Sequence, residues 1–135
     1  MRAFVDTNVL LDVIVRREPF YETAALIWAL AETGRIDAHV AAISFNNVFY
    51  IVNRLANKKS ATEAVKCVRS VFQIVSVDSR IIDAAIESGM DDFEDAIQYQ
   101  CALRCKARYL ITRNPQDFPR IGMVVKPEVF LSLIK

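Results

Sequence analysis

Glycine is scarce in this chain. Gly34, Gly89 and Gly122 are its only three among 135 residues. None stands in the spacing of a Walker loop or a dinucleotide-binding turn, so chemistry built on a glycine-rich phosphate cradle is excluded. Histidine is scarcer still. His39 is the single one, and it falls in a β-prone run, where a satisfied structural imidazole outnumbers a catalytic one roughly tenfold. The three cysteines are an odd number and form no disulfide framework. Cys101 and Cys105 lie a helical turn apart, but no second cysteine pair accompanies them, which argues against zinc. The expected state is reduced, buried thiols in a cytosol. No unbroken apolar run exceeds Ala24 to Ala31, far short of the roughly 20 residues of a membrane span. No charged-then-apolar leader opens the chain. The expectation is a cytoplasmic protein with no membrane partner.

Net charge is also nearly absent, at +1 from 17 basic and 16 acidic side chains. There is no gross signature of a polyanion partner. If a cation held four of the carboxylates, 17 basic groups would face 12 acidic ones, a surplus compatible with a modest nucleic-acid footprint.

What the chain has is apolar bulk. Hydrophobic residues make up 53%, which argues against disorder. The length suits one domain over residues 1–135 with a core of its own.

Ala3-Phe4-Val5 reads as a short buried strand, and Asp6-Thr7-Asn8 turns it directly into an amphipathic run through Ile14. Glu18-Pro19 stops that first helix. A second helix is expected from Tyr21 to Glu32, ended by Gly34. Asp37 to Ile43 is a strand candidate, with Ser44 as N-cap of a third helix. That helix carries Phe45, Val48, Phe49 and Val52 as a core-facing stripe. Lys58-Lys59-Ser60 reads as a polar turn before a helix over Ala61–Phe72. Ile74 to Val77 is a third strand, and Asp78 or Ser79 caps a helix to about Glu87, with Gly89 after it. A further helix opens within Met90–Asp95 and runs to about Cys105. Tyr109 to Thr112 is β-prone, and Arg113-Asn114-Pro115 breaks it. Met123 to Val125 makes a fifth strand, and Pro127 starts the last helix. Strands alternating with helices imply a three-layer α/β domain. Its central parallel sheet has about five strands, with helices on both faces.

In such a sheet the carboxyl edge is where ligands bind. Asp6 ends the first strand, Asp92 and Asp95 begin a helix at that edge, and Asp117 follows the fourth strand. Each acid alone has a structural explanation. A cap is worth about 1 kcal/mol, and acids in a first helical turn gain about 0.3–1 kcal/mol. Their convergence is harder to explain by capping, because gathered carboxylates repel unless protonated or neutralised. A hard divalent cation held by oxygen ligands is the usual solution, and it suits phosphodiester chemistry.

Val5-Asp6-Thr7-Asn8-Val9-Leu10-Leu11-Asp12, then Asp92-Phe93-Glu94-Asp95-Ala96, then Thr112-Arg113-Asn114-Pro115-Gln116-Asp117-Phe118 resemble, in this order, the PIN-domain family. The resemblance covers essentially the whole chain. Many small stand-alone members are toxins of prokaryotic toxin–antitoxin pairs that cut RNA with Mg²⁺ or Mn²⁺. The resemblance implies a metal-dependent ribonuclease with RNA as substrate, a small antitoxin protein as partner, and a homodimer as a further expectation. It assigns Asp6, Asp95 and Asp117 as catalytic and metal-binding, with Asp92 as a fourth metal ligand. Thr112 resembles the hydroxyl residue that orients ligands. Asn114 lies where some relatives carry another acid, and Thr7 and Asn8 would hold the Asp6 turn. Arg113, Arg16 and Arg17 are candidate phosphate contacts. Phe20, Tyr21 and Phe130 are expected on the partner-binding surface.

One position departs from the pattern. Relatives usually carry a glutamate early in the third helix, and here the matching residue is Asn47. Asparagine offers a carbonyl oxygen without charge and cannot act as a base, which should weaken a metal site. The alternative reading is a catalytically weakened module that binds RNA or a protein without efficient cleavage.

Overall fold

A computed structural model of the chain describes residues 1–119 and 122–134. Five strands form one sheet: β1 (Arg2–Val5), β2 (Asp37–Ala41), β3 (Gln73–Val75), β4 (Tyr109–Ile111) and β5 (Val124–Val125). Seven helices connect and follow them: α1 (Thr7–Ile14), α2 (Tyr21–Glu32), α3 (Ala42–Leu55), α4 (Lys58–Val71), α5 (Ser79–Glu87), α6 (Phe93–Arg104) and α7 (Pro127–Leu133). The strand order is β3-β2-β1-β4-β5, and every pairing is parallel. The expected three-layer architecture is present.

The pleat explains how such short strands bury both faces. Ala3 and Val5 point into a cluster with α1, α2 and Phe130 of α7, whereas Phe4 joins the cluster on α5 and α6. β2 divides the same way, with Ala38 and Val40 on one side and Ala41 on the other. A third cluster joins Leu11 of α1 to Val48 and Val52 of α3 and to Ala61 and Ala64 of α4. Gly34 and Gly89 follow α2 and α5 at φ of 75° and 71°. That is the left-handed stop expected of a helix-terminating glycine.

β1 lies between β2 and β4. The chain winds outward from β1 to β2 and β3 on one side, then crosses to β4 and β5 on the other. The topological switch point therefore falls between the carboxyl ends of β1 and β4, where α/β sheets open a crevice. Asp6 and Thr112 are the residues immediately past those two ends.

Several boundaries differ from the sequence expectation. β2 ends at Ala41, so Ser44 lies inside α3 rather than capping it. Its hydroxyl is engaged with the Thr7 side chain, a tertiary contact invisible to local pattern. Lys58-Lys59-Ser60 is the first turn of α4, not a loop. Asn57 caps it, its Oδ1 accepting from the Ser60 amide at 2.8 Å. The run of polar side chains suggested a turn there, and basic residues at a helix start also oppose the dipole. Phe45 and Phe49 are half-buried at the edges of two clusters. Phe130 is fully buried, edge-on to Tyr109, and cannot serve as a partner surface. Trp28 packs edge-on against buried Phe72, as its apolar helix suggested. Of the thiols, Cys101 is buried, and burial pushes it up to about 12, but Cys67 is exposed on α4. No helix among the described residues is long and apolar enough to cross a membrane.

Candidate functional site

The site is built outward from Asp6. This residue caps α1 and is only 3% exposed. Its backbone amide pairs with the Ile111 carbonyl across the switch point. Its carboxylate is held from two directions. Thr112 Oγ1 donates to Oδ2 at 2.7 Å, and Gln98 Nε2 donates to Oδ1 at 3.0 Å. The Asn8 amide adds a longer contact at 3.4 Å. Burial raises the Asp6 pKa, and these donors together with the Arg113 charge oppose the rise.

The donors are themselves fixed. Gln98 Oε1 accepts from the Thr7 backbone amide at 3.0 Å and from Thr7 Oγ1 at 3.2 Å. Thr7 Oγ1 also lies 2.7 Å from Ser44 Oγ. Thr7 has one hydroxyl proton, and it goes to Gln98, so Ser44 donates to Thr7. The chain Ser44–Thr7–Gln98–Asp6 thus has a single direction and joins α3, α1 and α6. Thr112 Oγ1 accepts from the Asn114 amide at 3.2 Å, so Asn114 enters through its backbone.

Above Asp6 opens a cavity of about 320 Å³, lined in part by Asn47, Tyr50, Asp92, Glu94, Asp95 and Asp117. Asp92, Asp95 and Asp117 also border a neighbouring cavity with Met90, Gln116 and Phe118. The three aspartates therefore stand on the ridge between two openings. Asp92 is also the N-cap of α6, its Oδ1 accepting from the Asp95 amide at 2.9 Å. Asp95 is half-buried, and burial with the surrounding charges of Asp92, Asp6, Asp117 and Glu94 pushes it up to about 7. Glu94 is raised as well, first by burial, then by Asp6 and Asp92, while the Asn47 side chain opposes the rise.

Of the sequence-identified acids, Asp92, Asp95 and Asp117 come together in the cavity lining, with Thr7, Asn8 and Asn47 beside them. Asp6 is buried outside that lining and reaches the cluster through its charge, which acts on Asp95. Among the described residues, no three acidic, histidine or cysteine side chains close into a ready-made cage. The all-oxygen donor set, set around an open cavity, suits a hard cation that keeps part of its water shell and takes few direct carboxylates. Burial lifts Asp95 first, and the repulsion from the neighbouring acids that adds to it is what a divalent cation would relieve.

Each of the three arginines that are candidate phosphate contacts already has a partner within the chain. Arg113 Nε lies 2.8 Å from Oδ2 of Asp12, which is 1% exposed. Its guanidinium also stacks 4.0 Å over the Phe20 ring. Arg17 approaches the other Asp12 oxygen at 3.9 Å. Burial raises Asp12, and the two guanidinium groups counter it. Arg113 thereby pins the loop after β4 onto α1. Arg16 stacks on Tyr21 and donates to its hydroxyl at 3.0 Å.

Gln98, Ser44, Glu94 and the Asp12–Arg113 pair are the parts that sequence reasoning missed. Gln98 had a signal: it stands one turn beyond Asp95 on the same helix face, a polar residue where a core residue is expected. Asp12 had one too, as an acid in an otherwise apolar helical run.

The sequence matches the family model for the PIN domain over residues 2–116. The chain belongs to the PIN-domain family. Its fold is similar to that of a toxin–antitoxin complex from Klebsiella pneumoniae, at 23% identity and a TM-score of 0.70, covering 93% of this chain and 97% of that one. It is also similar to VapC20 from Mycobacterium tuberculosis, described as a toxin that cleaves the sarcin–ricin loop. There the identity is 18% and the TM-score 0.66, over 80% of this chain and 86% of that one. A DNA-bound VapBC from Salmonella typhimurium is similar at 14% identity and a TM-score of 0.71, over 94% and 98% of the two chains. No protein of curated function matches the sequence.

Two predictions follow from this PIN site's electrostatics. Arg113→Ala leaves Asp12 buried without its nearest cation and should cost about 3–5 kcal/mol in urea unfolding. Arg16→Ala, on the surface, should stay within about 0.5 kcal/mol. Equal small losses in both would show that Arg113 is not structural. The second concerns pH. Asp95 binds its proton more tightly folded than unfolded, so without divalent cation its contribution to stability is full below about pH 4 and lost as pH rises to about 7. Asp95→Asn should therefore gain stability relative to wild type across that interval. A difference independent of pH would contradict the coupling.

Proposed function

We propose that this PIN domain is a ribonuclease that hydrolyses RNA phosphodiester bonds with Mg²⁺ or Mn²⁺, and that it acts as the toxin of a toxin–antitoxin pair. The observation that carries the reading is the set of four carboxylates, Asp92, Glu94, Asp95 and Asp117, around one cavity above a buried, hydrogen-bonded Asp6. The toxin nature of the proteins with similar folds supports the biological role.

In this reading Asp6, Asp95, Asp92 and Asp117 hold the cation. When bound, it supplies Lewis-acid stabilisation of phosphate charge and lowers the pKa of coordinated water. Asp6 contributes a carboxylate whose orientation is fixed by Thr112 and Gln98, so little reorganisation accompanies binding. Asp95 changes protonation near neutrality, which couples cation binding to pH. Glu94 returns to the cavity the negative charge that Asn47 lacks, and the Asn47 side chain favours that charge. The neutral Asn47 then belongs to a site whose fourth charge comes from α6 instead of α3.

An antitoxin protein is the proposed partner, and α2 and α7, which pack on each other, offer exposed Leu26, Val129 and Leu133 for it. Phe20 is part-exposed beside them, although its ring is already covered on one face by Arg113.

The test is Mn²⁺-dependent cleavage of a panel of structured and single-stranded RNAs by wild type, Asp95→Asn and Glu94→Gln. Wild type should cleave. Asp95→Asn should fall by more than the about 10–100-fold typical of groups that only support a metal ligand, and Glu94→Gln should fall measurably. Wild-type silence, with activity appearing in Asn47→Glu, would instead identify a weakened module whose role is binding.

A further inference from the structure

The cavity has one aromatic wall that the metal chemistry does not use. Tyr50 lines it and is 58% exposed, far more than a tyrosine recruited for packing. It belongs to a stripe on α3. Asn47, Tyr50, Ile51 and Arg54 follow one another at helical spacing, and the first three border the acidic cavity. Arg54 lies one turn beyond Tyr50. Its guanidinium stands 5.6 Å from the ring centroid, and Nη1 donates to the Tyr50 hydroxyl at 3.3 Å. Arg54 has no carboxylate partner among the described residues, and Lys58 and Lys59 begin α4 just after α3 ends. From Asn47 to Arg54 the stripe runs about 10 Å along the helix axis. It leads from a negative pocket, through an exposed ring, to unpaired positive charge.

We propose that Tyr50, braced by Arg54, is a nucleobase-stacking platform that seats single-stranded RNA next to the acidic cavity. This rests on the ribonuclease reading. A phosphodiester held at the carboxylates places its flanking nucleotide within reach of the cavity wall, and an unpaired base offers a π-face to an aromatic ring. A stacking contact is tolerant of base identity. Arg54 supplies both the ring's support and a charge for the following phosphate. The substrate class implied is RNA unpaired beside the scissile bond, not a continuous duplex. The sequence concealed this because Tyr50 continues a helix read for its apolar stripe at Phe45 and Phe49.

The experiment is steady-state cleavage in Mn²⁺ of a short, unstructured, fluorescein-labelled oligoribonucleotide by wild type, Tyr50→Ala and Tyr50→Phe. The same three proteins are assayed on oligonucleotides carrying one abasic position beside the scissile bond. Tyr50→Ala should raise KM about tenfold, within the ~5–150-fold span of one stacked base, and leave kcat near wild type. Tyr50→Phe keeps the ring and should keep KM within about twofold. The abasic substrate should cost wild type a similar factor and cost Tyr50→Ala no more. If wild type cleaves and Tyr50→Ala does so with unchanged KM, the platform is overturned and the ribonuclease reading stands. The exposed ring then serves a protein partner. If wild type cleaves no RNA, the ribonuclease reading fails first and takes the platform with it.

Discussion

The short hydrogen bond from Thr112 to Asp6 joins the ends of the two strands between which the sheet reverses its winding. Everything at the carboxyl edge is placed relative to it. β1 delivers Asp6, β4 delivers Thr112, and their backbone pairing brings the two side chains into the same crevice. Gln98 completes the grip from α6 and ties it to Thr7 and Ser44. A carboxylate this buried is costly unless its oxygens meet donors. Here each oxygen has one, so Asp6 is oriented as well as tolerated.

Around that fixed point the chain gathers charge of one sign. Asp92, Glu94, Asp95 and Asp117 border a cavity whose lining, among the described residues, includes no basic side chain. The cost is visible in Asp95, whose proton is retained to about neutral pH by burial and four neighbouring acids. Capping accounts for Asp92, whose side chain closes the first turn of α6. It does not account for Asp95 and Glu94 being held against their own repulsion. Arg113, on the loop that carries Asp117, does not neutralise the cluster: it is turned back onto Asp12 and Phe20. In the proposed reading, a cation from solution is what relieves this repulsion.

Much of this was legible from residue order. Short apolar runs each followed by an amphipathic segment dictate a parallel sheet, and an acid immediately after the first strand lands at its carboxyl edge. Asp6, Asp92, Asp95 and Asp117 could be placed because each adjoins an element end. What escaped were residues whose roles are made by partners far along the chain. Ser44 looked like a cap because serine caps locally, yet its hydroxyl meets Thr7 on another helix. Arg113 read as a free phosphate contact because nothing nearby in sequence pairs it, and Asp12 is about a hundred positions away. Glu94 was visible only as one acid among several, until Asn47 stood beside it. Lys58 and Lys59 misled because local dipole preference is weaker than the packing of α4 on α3.

The most direct measurement is calorimetric titration of Mn²⁺ into wild type and Thr112→Val, near pH 7.5. The substitution keeps the β-branched shape and removes the one donor that fixes Oδ2 of Asp6. If the oriented Asp6 is what the site depends on, Mn²⁺ affinity should fall by about 10–100-fold, the range for groups that position a metal ligand, with the fold intact by circular dichroism. Unchanged affinity in a folded variant would show that the acids bind the cation without the Thr112–Asp6 bond, and the central role given to it would be wrong.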